Sequence, residues 1–145
     1  MEKKELSSIL NDILVPIGFK KKGDYWIING DIITKMVNLQ KSKFGNNFYI
    51  NYGYILKSIP LDNLNMHVFQ GFGSIDNKES MRIKELLDKI SNENRAIELK
   101  QLILDKIVMN IMAVKTEEDL LNELKSRPHL KDIPLVVKKY FSLPE

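Results

Sequence analysis

Apolar residues recur with a helical period at both ends of the chain and with a period of two in its middle. Leu6, Ile9, Leu10, Ile13 and Leu14 fall at i, i+3, i+4, i+7 and i+8, one continuous stripe that predicts an amphipathic helix over residues 2–14. Pro16 stops it, because proline disfavours helical geometry in the residue before it. From Tyr25 onward the pattern alternates. "DYWIINGDIITKMVNLQ" reads as a hairpin about Asn29-Gly30, a dipeptide suited to a type I′ turn with positive φ at both central residues. That register pairs Trp26 with Ile33 and Ile27 with Ile32. "VNLQKSKFGNNFYINYG", residues 37–53, reads as a second hairpin about Gly45-Asn46, pairing Leu39 with Tyr52 and Gln40 with Asn51. Moving that turn to Asn46-Asn47 changes the partners but not the faces, because side chains alternate with period two.

The alternation separates two faces. Trp26, Ile28, Ile33, Val37, Leu39, Phe48, Ile50, Tyr52, Tyr54 and Leu56 form the core face, with Lys35 as its misfit. The other face is apolar at one end, with Tyr25, Ile27, Ile32, Met36 and Ile55. Asn38, Gln40, Ser42, Asn47, Tyr49 and Asn51 make its other end amide-rich.

Pro60 closes this region, and "LNMHVFQGFG", residues 64–73, is a further strand. Helices follow. Ile83, Leu86, Leu87 and Ile90 make a short stripe, and Ile97, Ile103, Leu104, Ile107 and Ile111 line a long helix over residues 94–113. Thr116 and Asp119 resemble a capping box, opening a helix that Pro128 terminates. Asp132 caps the last helix, with Pro134 in its first turn and a stripe of Ile133, Val136, Val137, Tyr140 and Phe141. The order predicts an α+β fold: an antiparallel meander sheet of about four to five strands with an N-terminal helix and several C-terminal helices packed on it. One domain spans residues 1–145, with a sheet-forming half over about 1–73 and a helical half over about 74–145.

Composition changes this picture by exclusion. The chain has 145 residues and no cysteine, so disulfides and thiolate chemistry are absent. That fits a reducing cytoplasm, the expected location. "MEKKELSSIL" is charged and runs straight into an amphipathic pattern, unlike a secretory signal. No apolar run approaches the roughly 18 residues of a membrane span.

Net charge is +3, and its distribution says more than its sum. Residues 20–57 carry Lys20, Lys21, Lys22, Lys35, Lys41, Lys43 and Lys57 against Asp24 and Asp31. A basic half of this kind attracts nucleic acid or an acidic partner, although a solvated lysine face has the same composition. Lys20, Lys21, Lys22 and Lys41 are the candidate basic patch, with Lys43 and the aromatics Tyr25, Phe44 and Tyr49 nearby. Sheet-borne aromatics stack bases and lysines track phosphates, but no RNA-recognition signature is present.

Catalytic chemistry finds little support. His67 and His129 are the two histidines. His67 points with Asn65 and Phe69 in the "MHVF" strand and reads as a hydrogen-bonded structural residue. His129 reads as a surface loop residue. No ligand spacing for a metal occurs, and no cofactor motif. "GFGS", residues 71–74, lacks the lysine-hydroxyl pair and βαβ context of a phosphate loop; strand-ending glycines explain it. The expectation is a non-enzyme without cofactor. The candidate partner-binding residues are Asn38, Gln40, Ser42, Lys43, Tyr49 and Asn51, on or beside the second face. An exposed patch there marks an interaction site, unless the chain's own helices bury Ile27 and Met36.

"PIGFKKKGDYW", "VNLQKSKFGNNFYINYG" and "HVFQGFG" together resemble the bacterial domain-of-unknown-function family 4304. The resemblance rests on Gly18 and Phe19, on Val37, Gln40, Lys41 and Ser42, and on Phe48, Tyr49, Ile50 and Asn51. It covers residues 6–57 well and 64–73 loosely. The family has no established activity, so the resemblance implies a fold. By analogy, small bacterial domains of this sort are toxin-neutralising or accessory binding proteins. The functional expectation is a binding protein with a protein partner, immunity-like in one form. A weak nucleic-acid binder using the basic 20–57 region is the alternative.

Overall fold

The computed structural model describes residues 3–41, 43, 47–62, 64–72, 77–88 and 93–145. Helix α1 (Lys3–Leu14) buries Leu6, Ile9, Leu10 and Leu14, the stripe its spacing predicts. The α-helix ends at Leu14, as expected from Pro16. A 3-10 turn over Val15–Ile17 accommodates it near its start, where a missing N–H is harmless, and Gly18 at φ 110° ends that turn.

Five strands follow in a meander: β1 (Lys20–Lys22), β2 (Tyr25–Ile28), β3 (Ile33–Lys41), β4 (Phe48–Leu56) and β5 (Val68–Gly71), paired in that order and antiparallel throughout. The lysine run 20–22 is thus a strand, unannounced by any apolar alternation.

Both predicted registers are displaced. Trp26 pairs with Val37, not Ile33, and Ile27 with Met36, not Ile32. Gly30 does not have the positive φ of a type I′ turn. Glycine is needed there for another reason: a Cβ would sit 2.2 Å from the Ile33 carbonyl oxygen. Leu39 pairs with Ile50, not Tyr52, and Asn51 stands opposite Asn38, with Gln40 opposite Tyr49. Both displacements are even-numbered, so every side chain keeps its predicted face. Gly45 and Asn46, the predicted turn, lie outside the described residues, as do Phe44, Ile90 and the "GS" of "GFGS".

Strand β5 is shorter than residues 64–73, and His67 lies before it rather than in it. The ring instead extends the sheet. The Leu56 N–H donates to His67 Nδ1 at 2.9 Å, and Nε2 bonds the Pro60 carbonyl at 2.8 Å. Because Nδ1 accepts, the ring proton resides on Nε2.

The helical half contains α2 (Asn77–Asp88), α3 (Glu93–Ile103), a π-helical turn (Leu104–Val108), α4 (Met109–Ala113), α5 (Glu117–Lys125) and α6 (Leu135–Tyr140). Ile97 and Leu104 face outward; the buried stripe is Leu99, Ile103, Ile107 and Ile111. Side chains four residues apart drift about 40° per step on a 3.6-residue turn. The wider π turn gives back part of that rotation. The Thr116–Asp119 capping box is present in both directions. Asp132 does not cap the last helix: Pro134 holds the N-cap position, and Asp132 pairs with Arg127 at 3.5 Å.

The helices gather on one side of the sheet. Trp26 and Phe19 are the largest fully buried side chains, in a cluster with Leu10, Val37, Ile50, Leu86, Ile107 and Leu124. The Trp26 Nε1–H reaches Asn11 of α1 at 3.3 Å. Lys35, the predicted misfit, is half-buried on this side, and burial lowers its ammonium below the usual lysine range, helped by the charge of Lys115.

Candidate functional site

The second sheet face owes its composition to strand alternation, and the registers assemble it row by row. Ile27, Met36, Gly53 and Phe69 form one row across four strands, and Tyr25, Asn38, Asn51 and Gly71 form the next. Gln40 and Tyr49 follow beyond them. Lys20 stands opposite Ile27, and Lys22 opposite Tyr25, so both extend this face at the β1 edge.

The middle of the face is covered, though not by the helical core. Met36 is 7% exposed and Thr34 is 4% exposed, yet neither belongs to the hydrophobic core cluster. Gly53 explains part of the cover. Strand β5 crosses so closely that a Cβ on Gly53 would lie 2.0 Å from the Val68 carbonyl oxygen, with Met66 Sδ at 2.9 Å. The segment before β5 therefore lies over Gly53, beside Met36. Ile27, Tyr25 and Ile55 are half-buried, outside the helical core.

The polar end stays open. Tyr49 is 46% exposed, Phe69 is 48% exposed, and Gln40 is exposed. The amides bond one another: Asn51 Nδ2 donates to Gln40 Oε1 at 2.9 Å and to Asn38 Oδ1 at 3.4 Å, while Asn38 Nδ2 donates to the Asp24 carbonyl at 3.3 Å. This network bridges β3 and β4 and orients the exposed Gln40. A cleft of about 420 Å³ opens beside it, lined by Gln40, Tyr49, Asn51, Phe72, Lys84 and Leu87 among others. Phe69, Phe72 and Lys84 were not among the sequence candidates. Phe69 joins the face only through the β5 register, and Lys84 arrives on α2.

The structure brings Asn38, Gln40, Tyr49 and Asn51 together. Ser42 lies outside the described residues, and Lys43 is exposed in the loop beyond β3. The basic patch divides. Lys20 and Lys22 share the second face, whereas Lys21 pairs with Trp26 on the other side. Its Nζ donates to the Gly23 carbonyl at 2.7 Å and lies 5.6 Å from the Trp26 ring centroid. Lys41 pairs with Phe48 and shares that side. Among the described residues, no group of three His, Cys, Asp or Glu side chains could hold a metal ion. His129 is exposed, and among the described residues no helix is long and apolar enough to cross a membrane.

Residues 10–121 match the model of a family described as Domain of unknown function (DUF4304). No curated protein and no solved structure matches.

Proposed function

The chain belongs to the DUF4304 family, whose name states no activity, and we propose that it is a non-enzymatic binding protein that takes an acidic protein partner on the sheet face opposite its helices. The observation that carries this reading is the pair of half-exposed aromatics, Tyr49 and Phe69, set beside an oriented amide network and a largely apolar cleft. Aromatic side chains dominate the energetic centres of protein interfaces. Charge selects the partner. Lys20 and Lys22 bound the face at β1 and Lys84 bounds the cleft, while no described strand residue on this face is Asp or Glu. Such a surface favours an acidic one by complementarity. Neutralising a toxin, as an immunity-like protein does, is one form of this activity.

The test compares tagged wild-type protein with Tyr49→Ala and with the double variant Lys20→Glu/Lys22→Glu, after tryptophan fluorescence confirms that each is folded. An acidic protein captured by the wild type and lost from both variants supports the reading. Capture unchanged in both variants overturns it. Weak nucleic-acid binding is the second reading, favoured by Tyr25 beside Lys20 and Lys22 and by the exposed Tyr49 further across the same face. It predicts capture that nuclease abolishes and affinity that falls steeply with salt.

A further inference from the structure

The amide chain on the second sheet face has a direction. Its origin is the Asp24 carbonyl, which can only accept a hydrogen bond. Asn38 therefore turns its Nδ2 to Asp24, at 3.3 Å, and its Oδ1 to Asn51. Asn51 must answer with Nδ2, at 3.4 Å, and the same nitrogen meets Gln40 at 2.9 Å. Gln40 must in turn offer Oε1. Its Nε2, with two N–H donors, is left without a bond to any described residue. One backbone carbonyl on the far side of β3 thus decides what the exposed Gln40 presents: donors, not an acceptor.

Gln40 lines the cleft of about 420 Å³, a volume within the roughly 300–1,000 Å³ of small-molecule sites. Lys84 of α2 lines it as well. Its side chain is exposed, and among the described residues none bonds its ammonium. The walls are mostly apolar, with Tyr49 46% exposed, Phe72 half-buried and Leu87 behind them. No described lining residue is Asp or Glu. Ligand sites typically combine such an apolar lining with a few placed polar groups, and here both free groups are donors and one is a cation. An amine would find no anion in the cleft, and an alcohol would forgo the charge. A carboxylate accepts from both, with the strength of a charge-assisted bond. We infer that this cleft binds a small apolar carboxylic acid as its anion, the carboxylate accepting from Gln40 Nε2 and Lys84 Nζ and the hydrocarbon lying against Tyr49, Phe72 and Leu87. The inference goes beyond the protein-binding reading and does not require it.

Backbone-amide NMR titration at pH 7 with hexanoate tests this, with hexan-1-ol and acetate as controls. The expected result is saturable shifts at Tyr49, Asn51, Phe72 and Leu87, half-complete on the order of 1 mM for so small a ligand. Hexan-1-ol should bind about fivefold more weakly, the scale of one exposed ion pair, and acetate, without the hydrocarbon, should not saturate. In Gln40→Glu a carboxylate still accepts from Asn51, so the urea midpoint should hold, but the outward donors become an anion and hexanoate binding should be lost. Lys84→Glu, at an exposed helix position, should abolish it independently. No saturable shift, hexan-1-ol bound as tightly as hexanoate, binding retained in either variant, or a urea midpoint lowered by Gln40→Glu overturns the inference. Capture of an acidic protein by the same face would stand through any of these results, so the two readings fail separately.

Discussion

His67→Ala should destabilise the protein without touching the proposed binding face. The ring is fully buried and replaces a missing strand as a hydrogen-bonding partner. Strand β5 accompanies β4 only as far as the Tyr54–Val68 pair, with the His67 N–H reaching the Tyr54 carbonyl. Two residues on, the Leu56 N–H points to the same side, where β5 has ended, and His67 Nδ1 receives it. Truncation strands that buried donor, at about 1–3 kcal/mol. It also opens a cavity where an aromatic ring stood, a change that costs larger rings about 3–5 kcal/mol. Since both effects arise from one side chain, a combined loss of about 3–5 kcal/mol is expected. Against a total stability of roughly 5–15 kcal/mol this is a large fraction. His67→Asn retains an acceptor at the δ position, loses the Pro60 contact and should fall between the two. Urea unfolding followed by the single tryptophan, buried at position 26, measures this directly. At a slope of about 2 kcal/mol/M, the alanine midpoint should drop by about 2 M. An alanine midpoint equal to the wild type's, or equal asparagine and alanine midpoints, would refute the reasoning.

Gly53→Ala should prevent β5 from seating, because its Cβ would meet the Val68 carbonyl at 2.0 Å and Phe69 Cα at 2.9 Å, both backbone atoms; rapid hydrogen exchange across Val68–Gly71 is the readout, and unchanged protection would contradict it. Lys35→Met should raise the melting temperature at pH 7. Burial first, then the charge of Lys115, lowers the Lys35 ammonium from 10.5, so the folded state bears a penalty wherever that lysine is charged in both states. The penalty disappears as pH rises through the folded value toward 10.5, and the gain should shrink accordingly; a gain constant to pH 10.5 would count against it. Tyr52 and Tyr54 have phenols raised mainly by burial, so the unfolded chain ionises first and stability should fall above pH 10. Ultraviolet titration should find two of the five tyrosines un-ionised until the protein unfolds.

The fold was legible wherever parity or helical period alone decided the outcome. Both hairpin registers were displaced, yet each moved by an even number, so Trp26, Val37, Ile50 and Tyr52 still face the helices and Gln40 and Tyr49 still face away. Burying the apolar set fixes parity, because a one-residue slip would expose all of it. It leaves the choice among even registers to turn geometry and close backbone contacts. Those reside in details such as the Ile33 carbonyl against Gly30, invisible to hydrophobic pattern. His67 is legible as a hydrogen-bonded structural residue, but nothing in "MHVF" announces that its partner is the β4 ladder.

Parity also explains why the candidate site was recovered only in part. Asn38, Gln40, Tyr49 and Asn51 were legible together because their strands were recognised, so alternation placed them on one face. The lysines share only proximity in sequence, since Lys20–Lys22 shows no apolar alternation to announce a strand. Once it is β1, alternation sends Lys20 and Lys22 to the second face and Lys21 across to Trp26. The positive charge beside Tyr25 and Ile27 is thereby smaller than the sequence implied, and borders an aromatic and amide surface. A phosphate backbone is best tracked by a continuous run of cations, whereas a protein interface prefers a desolvated aromatic centre with charge at its rim. The division of the lysine run therefore favours an acidic protein over nucleic acid on this face.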